Sequence, residues 1–135
     1  MKNVKETVEM GNDKNNAILV KSEDFALRII KLYQYLKTEK HEKVLASQIF
    51  RSGTSIGANV TEGNYAQTKA DFYTKLSIAL KEAAETQYWL RLLNKSGYLN
   101  ENQYNNIYKD CSEIVALLVT ILKNRTQRSG KKEKI

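Results

Sequence analysis

The chain has 135 residues, no proline and only six glycines. That composition argues against a turn-rich β domain and for one core built from a few long helices with short connections. A hydrophobic fraction of 41% is that of a globular protein and excludes a chain too polar to fold. The formal net charge of +7 is unevenly placed: residues 1–21 and 22–122 are each net +1, whereas Lys123, Arg125, Arg128, Lys131, Lys132 and Lys134 face only Glu133 at the end of the chain.

Residues 1–21 are polar and rich in Asn and Lys, and a flexible N-terminal segment is expected there. Ser22 then offers an N-cap oxygen, with Glu23 and Asp24 placed to meet the positive end of a helix dipole. The first helix is predicted over 23–38, where Phe25, Ile29, Leu32 and Leu36 recur at alternating steps of four and three, the pattern of a bundle seam. A second helix is predicted over 42–62, with Leu45, Ile49, Ser52, Ile56 and Asn59 or Val60 facing inward and Gly63-Asn64 as terminators.

Thr68, followed three residues later by Asp71, opens a third helix that runs to about Lys95. Its seam is Phe72, Leu76, Ala79, Ala83, Thr86, Leu90 and Leu93. Ser96-Gly97 closes it, and Asn100 with Gln103 opens the fourth. There Tyr104, Ile107, Cys111, Ile114, Leu118 and Ile121 form the seam, flanked by Tyr108, Val115 and Leu122. Short connections make consecutive helices antiparallel. The expected fold class is therefore all-α, an antiparallel up-down-up-down four-helix bundle over 22–124, between the flexible segment 1–21 and a basic C-terminal tail, 125–135.

The lone Cys111 cannot form an intramolecular disulfide, and the start MKNVKETVEMGNDKNN lacks the apolar stretch of a signal peptide; a cytoplasmic protein is expected. The longest apolar run, Ile114 to Leu122, is far short of the ~20 residues a bilayer crossing needs. No membrane partner is expected.

Two features exceed what a bundle requires. Gly53 and Gly57 lie inside the second helix, where each glycine costs about 1 kcal/mol relative to alanine. At about 100° per residue, Ala46, Phe50, Gly53 and Gly57 share a stripe that lets another backbone approach closely. Packing within the bundle is the plain reading of that stripe and a ligand groove the alternative. The second feature is the side of the third helix opposite its seam, with Ile78, Lys81, Glu85, Tyr88, Trp89 and Leu92. An apolar patch in a charged surround has the composition of a subunit interface, so a homo-oligomer is expected. The competing reading is that the termini cover this side.

Arg51 and Glu62 lie along one edge of the second helix, about 16 Å apart at 1.5 Å per residue. Each is expected to meet a charge on a neighbouring helix, with Lys81, Glu82 and Glu85 the candidates. Asn59 is expected to bond backbone at a helix crossing.

Catalytic readings fail on context. Gly53-Thr54-Ser55-Ile56-Gly57 fits the pattern of a nucleophile elbow, but that chemistry needs a preceding strand and a histidine base. The single histidine, His41, lies in a polar connection, and one histidine also excludes a di-iron bundle. Glu62, Glu82 and Glu85 could hold a hard cation, but Lys81 and Arg51 oppose it. Cys111 reads as a core thiol. No enzyme, metal site or cofactor is expected.

The run IFRSGTSIGANVTEG from Ile49 to Gly63, followed by ADFYTKLSIALKEAAETQYWLRLL from Ala70 to Leu93, resembles the bacterial four helix bundle protein family, also called the S23 or 23S rRNA-intervening-sequence protein family. The similarity covers about residues 23–124. It implies a four-helix bundle that assembles as a homopentameric ring, with some members encoded within insertions in 23S rRNA genes. It extends to the accessory variability determinant of diversity-generating retroelements, a pentameric barrel that binds nucleic acid and a reverse transcriptase. Carried over by position, the family pattern falls on Arg51, Ser52, Asn59, Glu62, Gly63, Lys81, Glu82, Glu85, Tyr88 and Trp89, as structural or interface positions with no catalytic role.

Two functional classes follow. One is an oligomeric adaptor or scaffold that contacts RNA or DNA through Lys123, Arg125, Arg128, Lys131, Lys132 and Lys134. The other is a purely protein-binding module that partners a polymerase, a reverse transcriptase or a neighbouring gene product.

Overall fold

The computed structural model describes residues 13–134, with side chains described through Arg125. Four helices account for almost all of that span: α1 (Asp13–Thr38), α2 (Val44–Asn64), α3 (Lys69–Lys95) and α4 (Glu101–Lys134). Each packs against its neighbours in the chain, and α4 returns to pack on α1. With connections this short, the arrangement is the antiparallel up-down-up-down ring. No described helix is long and apolar enough to cross a membrane.

The seams read from the sequence form the core. All seven seam positions of α3 are buried, and so are Ile107, Cys111, Ile114, Leu118 and Ile121 of α4. Burying a side chain of this size contributes roughly 1.5–3 kcal/mol, so these rows hold the bundle together. Three seam residues depart from the pattern: Leu45 and Tyr104 are half-buried, and so is Leu32. Phe25, Ile29 and Leu36 are buried, whereas Leu32 stays half-buried because the junction of α1 with α4 is open at its level.

The ends of the helices show how local chemistry sets the boundaries. Asp71 N–H donates to Thr68 Oγ1 at 3.0 Å, capping α3. At α4, Gln103 N–H donates to Asn100 Oδ1 at 2.8 Å while Asn100 N–H donates to Gln103 Oε1 at 2.9 Å, a reciprocal capping box. Gly97, at φ +90°, turns the chain out of α3, and Tyr98 N–H closes back on the Leu93 carbonyl at 2.9 Å.

Two expectations are corrected. The chain is already helical at Asp13, the first described residue and nine residues ahead of the Ser22 start read from the sequence. Ser22 is not a cap but a buried residue inside α1, its hydroxyl donating to the Leu19 carbonyl at 3.2 Å. Asn15, Ser22, Ile29 and Leu36 are all buried at seven-residue spacing, so small polar residues in core positions hid the first turns of the helix. Likewise Gly63 is buried inside α2 rather than terminating it; a Cβ there would stand 3.3 Å from Lys75 Cβ and 3.6 Å from Phe72 on α3. Beyond Lys123, α4 carries the basic C-terminal segment as helix to Lys134.

Candidate functional site

The residues singled out in the second and third helices gather along the α2–α3 junction. Thr86 Oγ1 lies 2.9 Å from Ser52 Oγ and 2.8 Å from the Glu82 carbonyl oxygen, so a buried hydroxyl pair joins the two helices from inside. Ser52 and Thr86 are both fully buried, and each keeps a partner, which is what makes two polar groups tolerable there.

On the outer side of the same junction, Arg51 reaches across to both glutamates of α3. Its Nη1 stands 3.4 Å from Glu82 Oε1, and its Nη2 pairs with Glu85 Oε2. Glu85 also accepts from the Trp89 indole, Nε1 to Oε2 at 2.9 Å. Glu62 pairs with Lys75 at 3.0 Å, and this bond holds the Lys75 ammonium above its ordinary pKa. The cross-helix pairing expected for Arg51 and Glu62 is present, although Lys75 was not among the residues named for it. Lys81 is exposed, with no ion-pair partner among the described residues. The glutamates therefore face cations of their own chain, and no group of three His, Cys, Asp or Glu gathers among the described residues.

The glycine stripe serves packing. A Cβ on Gly53 would lie 2.7 Å from Ile29 Cγ1, and one on Gly57 would lie 3.2 Å from the Ser22 carbonyl oxygen. Both glycines admit α1 against α2, leaving no gap for a ligand. Asn59 Nδ2 donates to the Ser55 carbonyl of its own helix at 2.9 Å, not across a helix crossing as expected. Ser55 sits mid-helix and donates to the Arg51 carbonyl at 2.6 Å, which removes the strained turn a nucleophile elbow requires.

The outer side of α3 divides. Ile78 and Tyr88 are 36% and 45% exposed, whereas Trp89 and Leu92 are half-buried, with Trp89 packed against the core of its own chain. Tyr88 and Trp89 meet edge to face, with centroids 5.0 Å apart. The indole N–H is held by Glu85, the same carboxylate that Arg51 of α2 engages. The sequence shows a helical stripe but not which edge of it a neighbouring helix covers. On α1, Val20 and Leu27 are 61% and 55% exposed, seven residues apart on one stripe facing away from the core; Val20 lies ahead of the helix read from the sequence, so Leu27 stood there as a single outward apolar residue and not as part of a stripe.

Of the basic residues assigned to nucleic acid, Lys123 and Arg125 are exposed, and the Arg125 guanidinium stands 5.8 Å from the centre of the Tyr73 ring. The side chains of Arg128, Lys131, Lys132 and Lys134 lie outside the described residues. Cys111 is fully buried in α4 with Sγ 3.5 Å from the Ala83 carbonyl oxygen, and burial, with Asp110 nearby, pushes its thiol up to about 12. It is a core thiol, not a nucleophile.

Comparison with known proteins places this architecture. No functionally curated protein matches the sequence. A crystal structure of a protein with unknown function from the S23 ribosomal protein family, from Bacteroides thetaiotaomicron VPI-5482, is 52% identical and superposes with a TM-score of 0.80, covering 82% of this chain and 98% of that one. The family model for the 23S rRNA-intervening sequence protein matches residues 14–120, the span that holds the buried core of all four helices up to Leu118 and the Arg51–Glu85 junction. The chain belongs to the 23S rRNA-intervening sequence protein family.

Proposed function

We propose that this protein is a non-enzymatic, cytoplasmic scaffold that works as a homo-oligomer, with a pentameric ring favoured, and that contacts RNA or DNA through its basic C-terminal segment. The observation that carries the assembly is the exposed pair Ile78 and Tyr88 on α3, beside the Arg51–Glu85–Trp89 network. Apolar side chains rimmed by charge favour a protein partner over water. A cyclic ring repeats one heterologous contact, so it needs a second, different patch on the same subunit. Val20 and Leu27 of α1 supply one.

The test for assembly uses Ile78→Asp with Tyr88→Asp. Trp89 is a poor choice because it packs against the core of its own subunit, and Leu92 because it is already half-buried. Light scattering should show the native mass falling to that of the 15.5 kDa chain; an unchanged oligomer overturns this interface. For nucleic acid, the six basic residues from Lys123 to Lys134 set an upper slope of log affinity against log salt of about −4 per engaged subunit for single strands. Salt-independent or absent binding would favour the second reading, a module that partners another protein alone, and binding that survives deletion of 124–135 would overturn the C-terminal segment as its site. Pull-down after nuclease treatment separates those two.

A further inference from the structure

The α1–α4 junction, on the opposite side of the helix ring from the α2–α3 network, is open over a groove of about 580 Å³. Leu32, Leu99 and Ile107 give it an apolar lining. Leu99 and Ile107 are almost fully buried, and Leu32 is the α1 seam residue that α4 fails to cover. Two cross-helix contacts bridge the helices beside this opening. At one end Arg28 pairs with Asp110; at the other, Gln103 Nε2 donates to the Tyr35 hydroxyl at 3.3 Å.

The polar groups around this lining are biased toward donors. Arg28 Nη2 donates to Asn106 Oδ1 at 2.8 Å. Because a guanidinium has no acceptor, the bond fixes Asn106 with its oxygen spent and its N–H donors retained. Lys31 lines the groove and has no ion-pair partner among the described residues. No Asp or Glu lines it. Of the acids beside it, Asp110 pairs with Arg28 and Glu101 accepts from the Asn94 amide at 3.1 Å. Apolar lining, uncompensated cation and spare donors complement a ligand that is apolar along its body and negative at one end.

Size narrows the choice. Arg28 to Tyr35 spans about 10 Å at 1.5 Å per residue, and the volume falls within the roughly 300–1,000 Å³ of small-molecule sites. A helix laid into the junction would have to cross the Arg28–Asp110 bridge, whereas a ligand of one or two fused rings would not. We propose that this groove binds a small organic anion with a flat apolar body, such as an aryl carboxylate, seated over Leu32, Leu99 and Ile107 with its charge beside Lys31.

The test titrates 1-naphthoate into the full chain and follows the methyl resonances of Leu32, Leu99 and Ile107 by NMR. Saturable shifts at these methyls are expected. 1-Naphthylmethylammonium, which has a similar body and the opposite charge, should bind about fivefold more weakly, and Lys31→Glu should weaken naphthoate by a similar factor. Asn102→Trp, which fills the groove from an exposed position on its lip, should abolish the shifts. Both substitutions are at exposed positions, so folding is retained. Absent shifts, equal binding of the two charges, or indifference to Lys31→Glu overturns the proposal. So does a groove whose methyls respond to protein dilution instead of to naphthoate, since a second copy would then be its occupant. Because the groove lies away from Ile78 and Tyr88, and neither substitution touches Val20 or Leu27, its failure would leave the assembly reading standing.

Discussion

A Cβ placed on Gly53 would come within 2.7 Å of Ile29 Cγ1 and 3.0 Å of both Cδ1 and Cγ2 of the same side chain. Ile29 is fully buried, so it has no free volume in which to turn aside. The helix tolerates a glycine here because α1 and α2 could not otherwise approach. Gly53→Ala should therefore destabilise by up to about 2 kcal/mol, an overpacking cost of roughly 1–3 kcal/mol offset by ~1 kcal/mol of helix propensity. Urea unfolding at fixed protein concentration measures it. In an Ile29→Ala background, where those three atoms are gone, the same Gly53→Ala change should become neutral or stabilising.

His41 holds the α1–α2 connection at φ 55°, a left-handed conformation that costs a residue with a Cβ roughly 1–2 kcal/mol. His41→Gly should raise stability by up to ~1 kcal/mol once the extra freedom of glycine in the unfolded chain is set against that relief. A thermal melt that falls instead would mean that the imidazole makes a contact worth more than the strain.

Alkaline pH should unfold the protein through Cys111. Burial raises the thiol from 9.0 to about 12 in the folded state. Between those values the folded chain holds a proton that the unfolded chain has lost, so stability is full below pH 9 and declines as pH rises toward 12. The slope from this one group reaches at most ~1.4 kcal/mol per pH unit. Cys111→Ala removes the thiol, and its stability curve should be flatter than that of the parent over pH 9–12. At neutral pH the native thiol should resist maleimide until the chain is unfolded.

The heterologous contact proposed for the ring has a distinctive signature. A subunit carrying Ile78→Asp and Tyr88→Asp keeps its α1 patch, and a subunit carrying Val20→Asp and Leu27→Asp keeps its α3 patch. Each variant alone should be monomeric, and an equimolar mixture should form heterodimers and nothing larger. Native mass spectrometry distinguishes this from an isologous contact, for which mixing restores nothing.

Much of the architecture was legible in the chain itself. Apolar residues repeating at steps of three and four put the core on one face of α3 and α4, and Thr68, Gly97 and the Asn100–Gln103 pair punctuate the helices by hydrogen bonds that a few consecutive residues complete among themselves. Family membership was legible too, because the motifs from Ile49 to Leu93 are contiguous. That α1 already runs through Asn15 was not, since Asn15 and Ser22 look like surface residues until the Gly57 face of α2 is brought against Ser22.

Tertiary structure alone decided which charges meet, which side of α3 is covered, and where the bundle stays open. Arg51 finds Glu82 and Glu85, and Trp89 turns inward to the same carboxylate, because α2 and α3 settle at one register. Leu32 remains half-buried because Arg28–Asp110 and Tyr35–Gln103 bridge α1 and α4 across their open junction. The physical reason is range. Periodicity and caps are set by neighbours a turn away, whereas register and gaps depend on how four separate surfaces fit together, and no stretch of chain encodes that fit by itself.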